Sequence, residues 1–297
     1  MALTYIKKEY RIRVLLAFIS CMIVFTANMT AFAQDREVSE QDLYIDFGNI
    51  LGSFVNDSGL VNYQGLKLER GDLDSFTQRL ALLDSSEFDT WGESRRIAFW
   101  INAYNALTLK SIIENYPIKP TFPARLIHPH NSIRQIPGVW DKTAHIVMGK
   151  DLTLDEIEHD ILRRQFNKPR IHMALVCASM GCAKLLNEPY TGLRLDDQLE
   201  DQTVAFLSHP DKFRIDKAGK VVFLSPYFKW FGQDFVYSYG TDKAFTGHNE
   251  NERSALNFIY QYMNEKDRSF LKSSDYTIEY LDYDWSLNEQ GGTGSKQ

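Results

Sequence analysis

Cysteine is scarce in this sequence, with three in 297 residues. Cys21 lies in an apolar amino-terminal segment, so Cys177 and Cys182 are the two that concern the rest of the chain. Structural zinc sites almost always use about four Cys or His ligands, and a lone Cys-x4-Cys pair supplies too few. The sequence therefore indicates no metal and no other cofactor.

The sequence also lacks a hydrophobic run long enough to span a membrane. A transmembrane helix needs roughly 20 apolar residues, whereas the run at residues 14–27 is shorter and is interrupted by polar side chains. Basic residues precede this run, and Ala31-Phe32-Ala33 follows it as a small-x-small cleavage site. These features predict a signal peptide at residues 1–33. We expect a periplasmic or secreted protein of a bacterium with two membranes, without stable membrane insertion after cleavage.

The sequence also lacks an excess of positive charge. The formal net charge is −6, and the predicted signal peptide carries away more basic than acidic residues. A negative chain argues against nucleic acid as a partner. Hydrophobic residues make up 44% of the chain, and no internal repeat or clear linker divides it. Residues 34–297 are therefore expected to form a single domain with a polar tail after about residue 288. We expect its partner to be a small-molecule or peptide substrate of unknown identity.

Hydrophobic periodicity predicts mostly helices with a few short strands. The strongest signal is at residues 94–113, which are apolar on nearly every side and should form a buried central helix with Ser94 as its cap. Further helices are predicted at residues 42–55, 73–83, 153–166, 195–207, 225–235 and 256–263, and Thr153 with Glu156 should form a capping box at the start of the helix at 153–166. Strands are predicted at residues 144–148, 170–176, 213–215, 221–224 and 277–281, and those at 213–215 and 221–224 should form a β-hairpin. The expected fold is a helix-rich α+β domain around a small mixed or antiparallel sheet.

The two cysteines lie at the end of the predicted strand at residues 170–176, in a turn of small residues. An exported protein meets an oxidising compartment, where such a pair forms a disulfide readily. A turn that contains Gly181 can bring the two Cα atoms within the ~4.4–6.8 Å that a disulfide needs. The same residues also fit a reactive thiolate at Cys177, with Cys182 as a secondary candidate, or two inert buried thiols. The sequence leaves these three alternatives open.

A nucleophilic Cys177 would need a base within hydrogen-bonding reach. His172 is the nearest histidine in sequence, but five residues of straight strand place it ~16 Å away on the opposite face. We therefore keep His172 as a secondary candidate. His145 lies on a separate predicted strand, escapes this constraint, and is the preferred base.

Four other residues complete the candidate site. Asn102 and Asn105 lie on one face of the predicted central helix, where buried amides either tie loops to the core or orient a catalytic histidine. Glu158 is a secondary candidate for the orienting group, and its alternative role is an ion pair with Arg163. Ser179, with the N–H groups of the turn, could form an oxyanion site.

Several segments of the sequence resemble the domain-of-unknown-function 547 (DUF547) family. They are FWINAYNAL (99–107), LDEIEH (154–159), PRIH (169–172), CASMGC (177–182) and YDWSLN (283–288). The resemblance follows the chain in order, spans most of residues 34–297, and suggests an exported bacterial member. Because the family is named for lacking an assigned function, the resemblance implies no reaction or substrate.

Two hypotheses of different classes remain. The first is a cysteine-dependent hydrolase or acyl transferase in which Cys177 and His145 form a dyad. The alternative is a non-catalytic periplasmic binding or assembly domain in which Cys177 and Cys182 form a structural disulfide. The state of the Cys177 sulfur separates the two hypotheses, and the sequence does not identify a substrate for either.

Overall fold

One long helix, Glu93–Asn115, runs through the protein with most of its residues buried. Side chains on all its faces are covered, from Ile97 near the start to Ile113 near the end. The helix begins one residue before the predicted cap at Ser94, because Gly92 occupies the N-cap position. The predicted buried central helix is confirmed.

The protein, as a computed structural model, is described for residues 39–241, 244–273 and 275–291. The predicted signal peptide at residues 1–33 lies outside the described residues. The α-helices are α1 (Glu40–Phe54), α2 (Tyr63–Leu68), α3 (Gly71–Leu82), α4 (Ser85–Asp89), α5 (Glu93–Asn115), α6 (Arg164–Phe166), α7 (Leu195–Ser208), α8 (Tyr227–Trp230), α9 (Gly232–Tyr239), α10 (Glu250–Tyr260) and α11 (Glu265–Ser273). Among these residues, no helix combines the length and apolar character that crossing a membrane requires.

The strands form two small sheets. The strands are β1 (His145–Val147), β2 (Lys150–Leu152), β3 (Phe213–Asp216), β4 (Val221–Leu224) and β5 (Thr277–Tyr280). β1 pairs antiparallel with β2. β3 pairs antiparallel with β4, and β4 pairs parallel with β5, so the larger sheet is mixed. The predicted helix-rich α+β fold is confirmed.

The helix before the cysteines begins as predicted but continues with a different pitch. The Thr153 N–H donates to Glu156 Oε2 at 2.7 Å, and the Glu156 N–H donates to Thr153 Oγ1 at 3.2 Å, which completes a capping box. A π-helix then spans Glu156–Arg163 and leads into α6. Its buried residues, Ile157 and Leu162, are five apart. π-Helical turns are rare and occur frequently at functional sites.

The predicted buried strand at residues 170–176 is wrong. Pro169–Met173 forms a 3₁₀-helix, and the chain then continues without a sheet partner toward the cysteines. The amide of Asn105 takes the place of a neighbouring strand. It accepts the Val176 N–H at 2.9 Å and donates to the Ala174 carbonyl at 3.0 Å. A continuous apolar run indicates burial without fixing the conformation.

Residues 283–290, which we call the C-terminal strap, lie along the cysteine turn. Met180 and Gly181 donate their N–H groups to carbonyls of the strap at 2.8 and 2.7 Å. Farther along, the strap pairs with Val61, which accepts the Gln290 N–H at 2.9 Å. The strap therefore joins the cysteine turn to the loop between α1 and α2.

Candidate functional site

A cavity of about 460 Å³ opens beside Cys177. Its aromatic lining comes from Tyr104, Trp140, Tyr227, Trp230, Phe231, Tyr283 and Trp285. Its charged and titratable lining comes from Arg134, Asp141, Asp155, Glu158, His159 and His172. This size falls within the range usual for small-molecule sites. The cavity is the candidate functional site.

Aromatic rings in contact with one another form one wall of the cavity. The ring of Tyr283, from the strap, lies 4.9 Å from that of Trp230 and 4.5 Å from that of Trp285, centroid to centroid. It also stacks on Tyr227 at 6.1 Å. Because each ring is held by its neighbours, the wall presents fixed aromatic faces to a ligand.

Three carboxylates give the cavity a negative character. Glu158 is largely buried, and its charge adds to the effect of burial in raising the pKa of Tyr104. Burial raises the pKa of Asp155, and the charges of Glu158 and Asp141 raise it further, against the opposing effect of His159. A cation bound beside Asp155 would favour the ionised form of this carboxylate. In the described ranges, no group of three or more His, Cys, Asp or Glu side chains is placed to hold a metal ion.

A guanidinium group already lies on the aromatic wall. The Arg134 guanidinium carbon lies 4.7 Å from the ring centroid of Trp285 and 5.5 Å from that of Trp140. These separations are within the range of cation–π attraction. The rings of Trp285 and Trp140 therefore already contact one positive charge.

His172 lines the cavity and is held by a partly buried ion-pair network. Its Nε2 lies 2.8 Å from Asp234 Oδ2, and its ring stacks on Phe231 at 4.0 Å. Arg163 donates two further hydrogen bonds to Asp234, at 2.6 and 3.0 Å. Burial alone would raise the pKa of Asp234, but hydrogen bonds from His172 and Arg163 hold it well below its ordinary value. Sequence reasoning missed Asp234, because nothing local pairs it with a histidine 62 residues away.

Cys177 and Cys182 form a disulfide with their Cα atoms 6.2 Å apart. Of the three alternatives left open by the sequence, this is the one formed. Cys177 lines the cavity, whereas Cys182 is 4% exposed. The hydroxyl groups of Ser179 and Tyr283 lie within hydrogen-bonding distance of both sulfurs.

The structure does not bring His145 to the cysteine turn. His145 is buried against the central helix, with its Nε2 3.4 Å from Ser111 Oγ, and burial lowers its pKa. The β1–β2 turn is bonded to the end of α3, since the Met148 N–H donates to the Leu80 carbonyl at 2.8 Å. Alternation along the strand places His145 and Ile146 on opposite faces, with His145 buried and Ile146 exposed. It does not determine which neighbour the histidine meets.

The two asparagines of the central helix hold loops in place. Asn102 donates to the Tyr190 carbonyl at 2.8 Å and accepts the Tyr190 N–H at 2.9 Å. Asn105 makes the equivalent pair of bonds to the backbone just before Cys177. The sequence left two roles open for these amides, tying loops to the core and orienting a catalytic histidine. The contacts correspond to the first role. Asn105 thereby positions the segment that carries Cys177.

Ser179 and Glu158 are both close to the cavity, in different settings. Ser179 Oγ lies 2.8 Å from the Tyr283 hydroxyl and 3.3 Å from Cys177 Sγ. Glu158 does not take Arg163 as its ion-pair partner, because Arg163 binds Asp234 instead. Three of the residues singled out in the sequence, Cys177, His172 and Glu158, therefore do share the cavity.

Comparison with known proteins gives one match. A family model described as a protein of unknown function, DUF547, matches residues 88–207. Neither the comparison with curated proteins nor that with solved structures gave a match. Two parts of the site lie beyond the matched residues: Asp234, which binds His172, and the strap, whose Tyr283 and Trp285 line the cavity. The part of the chain that carries the central helix, the π-helix and both cysteines thus matches the DUF547 family.

Proposed function

We propose that this protein is a ligand-binding domain that holds a small organic cation in the aromatic cavity. The observation that carries this proposal is the combination of an aromatic wall with the carboxylates of Asp141, Asp155 and Glu158 in one cavity. Cys177 lines the same cavity and is bonded to Cys182, and a bonded pair is what the non-catalytic alternative requires. The reaction chemistry of a thiol enzyme is not needed for this role.

Glu158 is the proposed counter-ion of the ligand. Burial is the main cause of the raised pKa values of Tyr104 and Tyr227, and the charge of Glu158 adds to both, so this carboxylate lies within electrostatic reach of both rings. An ammonium group over aromatic faces gains about 0.5–2 kcal/mol. A cation with an N–H group would also donate a charge-assisted hydrogen bond to this carboxylate, whereas a quaternary ammonium gains the Coulombic attraction alone.

Choline and its neutral isostere 3,3-dimethylbutan-1-ol test this proposal. We expect choline to bind the full chain more than tenfold tighter than the alcohol, measured by calorimetry and tryptophan fluorescence. Glu158→Gln should lower the choline affinity at least tenfold, because the Coulombic attraction between the carboxylate and the quaternary ammonium is lost. Glu69→Gln, on an exposed residue, serves as the control and should leave binding unchanged. Equal binding of the two ligands would contradict the proposal.

Choline binding should also depend on the ionisation of Asp155. The pKa of Asp155 is raised above its ordinary value of 3.8, mainly by burial. Protonation on lowering the pH removes a negative charge from the cavity, so the affinity is expected to fall at a pH above that ordinary value. In Asp155→Asn, the measured affinity should be lower at pH 7 and should vary less between pH 7 and pH 4. An unchanged pH profile would exclude Asp155 from the site.

The thiol hydrolase or acyl transferase hypothesis applies only to a reduced chain. The disulfide leaves neither sulfur free to attack a substrate. In a reduced chain, the histidines at the cavity are His159 and His172, rather than His145. Iodoacetamide labelling of the folded protein without reductant distinguishes the two functions, since selective labelling of Cys177 would favour the enzyme.

We also propose that the protein is exported and that residues 1–33 are removed during export. The basic and apolar segment before Ala31-Phe32-Ala33 supports export, and the disulfide suits an oxidising compartment. Periplasmic protein should begin at Gln34 by intact mass. Ala33→Leu is expected to leave the precursor uncleaved, because the position requires a small side chain. A full-length chain confined to the cytoplasm would contradict export.

A further inference from the structure

We propose that Cys177 and Cys182 form an exchangeable redox pair with a fixed polarity. An incoming thiolate attacks Cys177, and Cys182 departs as the leaving thiolate. Two features of the described residues carry the polarity, the unequal access to the two sulfurs and the backbone N–H that points at Cys182 Sγ. The Tyr283 hydroxyl, which lies between the sulfurs, supports exchange itself.

Access to the two sulfurs is unequal. Cys177 is half-buried and lines the aromatic cavity, which is large enough to admit a small thiol. Cys182 is 4% exposed. Thiol–disulfide exchange requires direct contact between the attacking thiolate and one sulfur of the disulfide. The cavity therefore directs attack to Cys177.

Cys182 is surrounded by hydrogen-bond donors. Its Sγ lies 2.9 Å from the Cys177 backbone nitrogen, 3.2 Å from the Tyr283 hydroxyl and 3.4 Å from Ser179 Oγ. The two hydroxyls lie equally close to Cys177 Sγ, so the backbone N–H is the donor that distinguishes Cys182. A disulfide sulfur is a weak acceptor, so these donors gain little while the bond is intact. They bind a thiolate much more strongly, because hydrogen bonds to an ionised acceptor are the stronger kind. Lowering the pKa of the departing thiol makes it leave faster.

The Tyr283 hydroxyl is held between the two sulfurs. It lies 3.1 Å from Cys177 Sγ and 3.2 Å from Cys182 Sγ. The ring is fixed by its contacts with Trp230 and Trp285, so the hydroxyl does not need to be positioned during the reaction. It can donate to whichever sulfur carries the negative charge. This arrangement serves bond cleavage at Cys177 and bond formation in the reverse direction.

Small thiols supply the two electrons that this exchange needs. In the first step, a thiolate forms a bond to Cys177 Sγ, the Cys177–Cys182 bond breaks, and its electron pair goes to Cys182 Sγ. In the second step, another thiolate attacks the mixed disulfide and releases Cys177 as a thiolate. Two thiols lose two electrons in total and become one small disulfide, and the protein disulfide becomes a dithiol. Solvent protonates the thiolates according to pH.

Reaction of the folded wild-type chain with 2-mercaptoethanol tests the polarity. This neutral thiol makes the result independent of cation binding in the cavity. The reaction is stopped with acid, free thiols are alkylated, and peptides are mapped by mass. We expect the mercaptoethanol adduct on Cys177 and the alkyl group on Cys182. An adduct mainly on Cys182, or no reduction before denaturation, would overturn the proposal.

Variants test the leaving group. With hydroxyethyl disulfide as the oxidant, Cys182→Ser should accumulate a stable mixed disulfide on Cys177, whereas Cys177→Ser should leave Cys182 unmodified on the same timescale. Tyr283→Phe keeps the ring and should slow reduction about tenfold, because it removes a donor to the departing thiolate. Wild-type reduction rates in Tyr283→Phe would overturn the role of Tyr283. Thermal unfolding of each variant establishes that the chain measured is folded.

Discussion

Asp234→Asn is expected to lower the free energy of unfolding by about 2–3 kcal/mol. The substitution keeps the size of the side chain but removes the charge that Arg163 and His172 share. Breaking one partner of a buried ion pair typically costs about 3–5 kcal/mol. The value expected here is lower, because the side chains of Asp234 and Arg163 remain 22% and 24% exposed. Urea unfolding at pH 7 measures the difference.

Asp160→Asn is the matched control for this prediction. Asp160 pairs with Arg164 at 2.9 Å, but both side chains are largely exposed. Exposed ion pairs contribute about 0–1 kcal/mol, so this variant should stay close to wild type. Equal losses in the two variants would show that the network around His172 does not stabilise the fold.

The Asp234 contribution should also depend on pH. Pairing lowers the pKa of Asp234 in the folded protein below its ordinary value of 3.8. Its stabilisation is therefore complete above that value and is lost progressively as the pH falls toward the folded pKa. The stability difference between wild type and Asp234→Asn should shrink below about pH 4. A difference that grows on acidification would contradict this assignment.

Gly181→Ala is expected to destabilise the protein by about 2–3 kcal/mol, the upper part of the range for inserting atoms into a packed region. An added Cβ would lie 2.6–2.7 Å from three atoms of the Tyr283 ring. The ring has little freedom to withdraw, because Trp230 and Trp285 pack against it. Thermal or urea unfolding measures the loss.

Two comparisons isolate this clash. Gly52→Ala, in α1, places a Cβ where no atom lies within 4 Å, and should instead stabilise by about 0.5–1 kcal/mol through helix propensity. Combining Gly181→Ala with Tyr283→Val should recover at least about 1 kcal/mol relative to the sum of the single changes, since contacting residues are coupled. Strict additivity would show that the clash with Tyr283 is not the cause.

The features that the sequence predicted well are local ones. The central helix follows from an apolar pattern within 23 residues. The Thr153–Glu156 capping box depends on side chains three residues apart, and the β3–β4 hairpin on two neighbouring apolar runs. In each case, the residues that form the element carry the signal themselves.

The cysteine segment could not be predicted in the same way. Its backbone is held by Asn105, about 70 residues earlier, and by the strap, about 100 residues later. Tyr283 reaches Cys177 across 106 residues, and Asp234 reaches His172 across 62. Periodicity within one element contains no information on such pairings. The sequence could therefore name Cys177, His172 and Glu158 without showing which partners surround them.

The strap also sets an order of events for the cysteines. Tyr283 lies 106 residues after Cys177, so the strap docks on the cysteine turn only when this later part of the chain is present. Until then, neither sulfur is covered by the strap, and an oxidant in the compartment that receives the exported chain reaches both. Once the strap has docked, access is through the cavity at Cys177. The maturing protein is therefore open to oxidation at both sulfurs early, and to exchange at one sulfur afterwards.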